Sequence, residues 1–79
     1  NEPHRRIRHD VVDPWGKVSL RYRGALRHLN VGYVHRGTRV RLYIVDEDVR
    51  IVTEDGELIR VATLDASKDY QPTRKPPKT

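Results

Sequence analysis

Two groups of carboxylates and four histidines are the side chains with which this chain could perform chemistry. Asp46, Glu47, Asp48 and Glu54, Asp55, Glu57 supply enough oxygens for a pair of divalent ions. Such ions clamp the attacking and leaving oxygens in phosphodiester transfer. Both groups fall in turn-like stretches beside short strand-like ones, and a chain of 79 residues has no layered framework to bring them together. His4, His9, His28 and His35 are separated by five, nineteen and seven positions, and there is no Cys. That spacing matches no zinc pattern, so His28 and His35 read as phosphate or surface contacts. A Gly-rich phosphate loop, a nucleophile elbow and a Ser/His/Asp arrangement are all absent. The expectation is a non-enzymatic domain with no catalytic residue, no metal and no cofactor of its own.

The positive charge is more informative. Lys and Arg total 16 against 11 Asp and Glu, a net of +5. Residues 1–45 carry a net of +7, residues 46–70 a net of −5, and residues 71–79 a net of +3. Twelve of the bases are Arg, whose fork grips phosphate oxygens where Lys offers a point charge. Segregation of this kind predicts one basic face for a polyanion rather than an evenly solvated surface.

The elements that position these bases alternate with period two. Ile7, His9 and Val11 alternate with Arg6, Arg8 and Asp10, and Asp13-Pro14-Trp15-Gly16 makes a turn. Val18, Leu20 and Tyr22 oppose Lys17, Ser19, Arg21 and Arg23, and after Gly24 the chain returns through Ala25 to Val31 as a hairpin. Residues 32–38 read as a loop or one helical turn. Val40, Leu42 and Ile44 then oppose Arg39, Arg41 and Tyr43, followed by an acidic turn at 46–48 and a strand from Val49 to Thr53. Asp55-Gly56 predicts a two-residue type I′ turn. In the returning arm Leu58, Ile59, Val61 and Leu64 cannot share one face, which implies a bulge or burial on both sides. These segments predict an all-β domain, a small barrel or rolled antiparallel sheet of five to six short strands over residues 6–64. Residues 1–5 read as a linker and 65–79 as a flexible Pro- and Lys-containing tail. With Asn1 first and no Met anywhere, the chain reads as a segment of a longer protein.

Arg8-His9-Asp10-Val11-Val12, Lys17-Val18-Ser19-Leu20-Arg21-Tyr22, Gly37-Thr38-Arg39-Val40-Arg41-Leu42, Asp48-Val49-Arg50-Ile51-Val52, Asp55-Gly56-Glu57-Leu58-Ile59-Arg60 and Asp69-Tyr70-Gln71-Pro72-Thr73 occur in this order. Together they resemble the C-terminal domain of actinobacterial insertion-sequence transposases of the integrase-core, or DDE, superfamily, over roughly residues 7–73. The resemblance implies an SH3-like barrel that follows a catalytic core and binds DNA. It also implies a bacterial cytoplasmic setting, and a Mg²⁺ or Mn²⁺ requirement that belongs to the core alone.

The expected function is therefore a DNA-binding accessory domain, with duplex DNA and other transposase protomers as partners and no membrane. Its contacts are expected from Arg6, Arg8, Lys17, Arg21, Arg23, Arg27, Arg39, Arg41 and Tyr43, acting on the phosphate backbone. Trp15 either caps an open barrel end or touches DNA, and Tyr22 belongs to the core. The alternative is a protein-interaction module, of docking or Tudor-like type, or an oligomerisation domain of a synaptic complex, working through the acidic stretch 46–57. Binding of RNA ranks lower, because the stacking platforms that single strands favour are missing from the pattern.

Overall fold

In a computed structural model, which describes residues 5–76, every apolar alternation above becomes a strand. In chain order the strands are β1 (Arg5–Val11), β2 (Lys17–Tyr22), β3 (Ala25–Asn30), β4 (Arg39–Val45), β5 (Asp48–Thr53), β6 (Leu58–Thr63), β7 (Tyr70–Gln71) and β8 (Thr73–Arg74). A single 3₁₀ turn, Tyr33–His35, precedes β4. The chain is all-β. One sheet runs β1-β4-β5-β6-β8 and the other β2-β3-β7, forming a small barrel-like roll. The expected linker at 1–4 and the last part of the expected tail, 77–79, lie outside the described residues.

Period-two geometry sends Val18 and Leu20, Leu29, Val40 with Leu42 and Ile44, and Val49 with Ile51 between the sheets, where all are buried. Val12, Val31, Ile59, Ala62 and Leu64 complete the core, and Tyr22 packs against it. Each fully buried Leu or Ile contributes roughly 1.5–3 kcal/mol, the main reason a chain without Cys can hold this shape.

Two turns differ instructively. Arg23 and Gly24 both have positive φ (52° and 77°) between the paired residues Tyr22 and Ala25, the signature of a type I′ hairpin. At Asp55-Gly56 the expected type I′ turn is corrected, because Gly56 has positive φ (92°) but Asp55 does not. The loop holds three residues, closed by Gly56 N donating to Thr53 O (2.9 Å) and Thr53 N donating to Glu57 O (2.9 Å). The anticipated irregularity of β6 lies beside it. Ile51 faces Arg60 while Val52 faces Leu58, so Ile59 is the extra residue and turns inward.

Two expectations are overturned. Residues 65–76 do not run free of the domain: β7 adds in parallel to β3, with His28 opposite Tyr70, and β8 adds to β6. The His28 and Tyr70 rings stack at 5.1 Å. Loss of aliphatic residues after Leu64 removed the alternation signal but not the docking, which rests on polar contacts. The phase of β1 also differs from the one that would set Arg6 and Arg8 beside Arg39 and Arg41. Ile7 (58% exposed) and Val11 lie on the outer surface, and Arg5, read as linker, is the first residue of the strand. Strand β1 is an edge strand, and only Val12 beyond it reaches the core.

Candidate nucleic-acid interface

The outer face of the five-stranded sheet gathers cationic side chains from four strands. Residues directly opposite in an antiparallel pair share a face. Across β1 and β4, Arg39 faces Val11, Arg41 faces His9, Tyr43 faces Ile7 and Val45 faces Arg5. Across β4 and β5, Tyr43 faces Arg50, and Val61 of β6 faces both Arg50 and Arg74. Ile7, Tyr43, Arg50, Val61 and Arg74 thus form one row spanning the sheet. His9, Arg41 and Val52 lie in the next row, and Arg39 starts a third. The face is predominantly basic on a half-apolar ground, with the exposed carboxylate of Asp48 opposite Val45 in the row that Arg5 begins.

Its cations differ in freedom. Arg39, Arg50 and Arg74 are exposed, and among the described residues none has a carboxylate within ion-pair distance. Arg41 is half-buried. Its Nη2 donates to Glu54 O at 3.4 Å, its guanidinium lies 5.9 Å from the Tyr43 ring centroid, and its buried Nε has no partner among the described residues. Arg41 is therefore oriented by the sheet, whereas Arg39 and Arg50 can adjust to a ligand.

The other expected bases are not on this face. Arg6 and Arg8 oppose Ile44 and Leu42, so they point to the side opposite Arg39 and Arg41, at the open seam between β1 and β2. There Arg6 Nη2 donates to Arg21 O at 2.5 Å. Arg5, Arg6, Arg21 and Arg23 line a cleft of about 480 Å³ with Tyr22, Ile44, Asp46 and Glu47. Lys17 lies opposite Asn30 on the outer side of the small sheet.

Arg27 drops out altogether. It is 6% exposed, with Nε donating to Tyr22 O (3.1 Å) and Nη1 to Lys68 O (3.1 Å) and to Asp69 Oδ1 (3.3 Å). Its guanidinium ties the 65–74 segment to β3. Placing it on the basic face is corrected here, because in β3 Arg27 is in phase with the buried Leu29 and Val31.

Arg5, His9, Arg50 and Arg74 were not among the expected contacts. For Arg50 the signal was present, since it alternates with the core residues Val49 and Ile51. Arg74 carried none, because its place depends on β8. Trp15 caps nothing; it is 72% exposed. Among the described residues there is no group of three His, Cys, Asp or Glu side chains that could hold a metal ion, and no helix long and apolar enough to cross a membrane.

Comparisons of the chain with protein-family models, with curated proteins and with solved structures gave no match.

Proposed function

We propose that this chain is a DNA-binding accessory domain of a bacterial transposase or integrase of the DDE superfamily, holding an element end or target duplex in the cytoplasm while a separate core performs strand transfer with Mg²⁺ or Mn²⁺. The observation that supports it best is the outer face of the large sheet, where Arg5, His9, Arg39, Arg41, Arg50 and Arg74 share one side. A basic sheet face suits phosphates spaced along a duplex: it neutralises several at once, releases their counterions, and reads little sequence. Tyr43 and, on the edge strand, Ile7 supply apolar area against sugars.

Titration of blunt duplex DNA at several salt concentrations tests the reading. Arg39→Ala, Arg41→Ala and Arg50→Ala should each weaken binding to unrelated sequences alike and lower the salt slope by about 1. Asp48→Ala should leave binding unchanged or tighten it slightly. Binding that is undetectable at low salt, or indifferent to all three arginines, refutes the proposal. An acidic turn that proves critical while the arginines prove neutral points to the protein-interaction module instead.

A further inference from the structure

Three large apolar side chains are left outside the core at one end of the barrel. Trp15 is 72% exposed, Tyr33 64% and Val34 79%. A domain this small gains nothing in stability from presenting an indole and a phenol to water on neighbouring turns.

The two turns are fixed to one another. A Cβ on Gly16 would lie 2.6 Å from the Gly32 carbonyl carbon and 2.6 Å from the Tyr33 nitrogen, so these backbones touch where only Gly fits. Gly16 O accepts hydrogen bonds from Val31 N (2.8 Å) and Gly32 N (3.0 Å). Asp13 Oδ1 accepts from Trp15 N (2.9 Å) and Lys17 N (2.8 Å), which ties the first turn shut. Trp15 and Tyr33 therefore sit on two interlocked turns, presented at little ordering cost to a ligand.

The surroundings are cationic. The Arg36 guanidinium lies over the Tyr33 ring at 4.2 Å, and its Nη1 donates to Tyr33 O at 3.1 Å. The Arg60 guanidinium comes within 3.1 Å of where a Cβ on Gly32 would be. The one carboxylate of these turns, Asp13, is already committed to backbone amides. An apolar protein partner would have to desolvate the Arg36 charge, whereas a nucleic-acid strand supplies both a phosphate for it and a flat base for the rings.

We propose that Trp15 and the Tyr33–Arg36 pair form a stacking site for unpaired bases of DNA, separate from the basic sheet face and selective for duplexes that carry a single-stranded extension. This rests on the DNA-binding reading above and adds to it a preference for frayed or overhanging ends. Trp15 and Tyr33 take the bases, and Arg36 widens the Tyr33 platform and meets the adjoining phosphate.

Trp15 is the sole tryptophan, so its emission reports the site directly. The test titrates the chain with a blunt duplex and with the same duplex bearing a short single-stranded extension. Extended DNA should quench Trp15 and bind about tenfold more tightly than blunt DNA. Tyr33→Ala and Trp15→Ala, followed by anisotropy of labelled DNA, should erase that difference while blunt-duplex affinity stays. Arg39→Ala should weaken both DNAs by the same factor. Equal binding of the two DNAs with Trp15 emission unmoved overturns the stacking site and leaves the sheet-face reading standing. No binding of either DNA removes both. A Trp15 emission shift that follows protein concentration without DNA marks a self-association surface and also overturns the proposal.

Discussion

The side-chain amide of Gln71 pairs with the backbone of Asp65 in both directions, Oε1 accepting from Asp65 N at 2.7 Å and Nε2 donating to Asp65 O at 2.8 Å. Nε2 also donates to Lys68 O. Gln71 is buried, and it does for the 65–71 loop what a neighbouring strand would do: it satisfies main-chain groups that have left the sheet.

Gln71→Ala should therefore destabilise the domain by about 1–3 kcal/mol, seen as a lower urea midpoint at unchanged slope. Gln71→Glu keeps the shape but removes the donor to two carbonyls, and should cost at least as much. Amide exchange should speed up first at His28, whose N–H donates to Asp69 O.

Gly16 and Gly24 both have positive φ, 84° and 77°, yet their surroundings differ. Nothing lies within 4 Å of a Cβ on Gly24, whereas one on Gly16 meets backbone at 2.6 Å. Gly24→Ala should cost about 1 kcal/mol, the ordinary penalty of a left-handed conformation. Gly16→Ala must also push two turns apart and should cost several times more, measurable by thermal unfolding of the two variants side by side.

Arg23 occupies the first position of the type I′ turn at φ 52°. Asn tolerates that conformation better, so Arg23→Asn should stabilise the domain by about 0.5 kcal/mol, a rise in Tm of roughly 2–4 °C. No gain in Tm would mean that the hairpin turn sets little of the stability.

Asp65 is held below its ordinary pKa of 3.8, chiefly by hydrogen bonds from the Ser67 side chain and backbone, with smaller help from Lys68 and Arg27. A depressed carboxylate contributes stability above its unfolded pKa and loses it as pH falls through the folded one. Unfolding between about pH 5 and pH 2 should accordingly depend less steeply on pH in Asp65→Asn than in the parent chain. Identical profiles would show that the Ser67 contacts do not favour the ionised form.

Six strands were legible in the sequence, most plainly where aliphatic and polar residues alternate, as in Val18-Ser19-Leu20 or Val40-Arg41-Leu42, and otherwise from the turns that bound them. The bulge at Ile59 was legible too, as a break in that rhythm. Strands β7 and β8 were not, because Tyr70–Gln71 and Thr73–Arg74 are too short for a period and are held by Gln71, Arg27 and the Thr73 hydroxyl on Asn30 O (2.6 Å). The candidate face was half legible. Arg39, Arg41 and Tyr43 share it as their spacing requires, but period two fixes only which residues of a strand go together, not which side each strand presents. Strand β1 shows the ambiguity, because Ile7 and Val11 look like core and lie outside. Arg27 shows the opposite error: its charge suggested surface while its phase with Leu29 indicated burial, and phase prevailed because three acceptors stood ready for the guanidinium.

The parallel pairing of β3 with β7 also sets a timetable for folding. It joins residues 41 to 43 positions apart through Arg27 and Thr73, contacts that reward the chain only after a long loop has closed. The hairpin of β2 and β3 can form locally and early, but its β3 edge stays open until β7 arrives. During synthesis from the N-terminal side, that edge remains uncovered until residue 71 has left the ribosome. Over that interval it is the place where a second nascent chain could add a strand of its own.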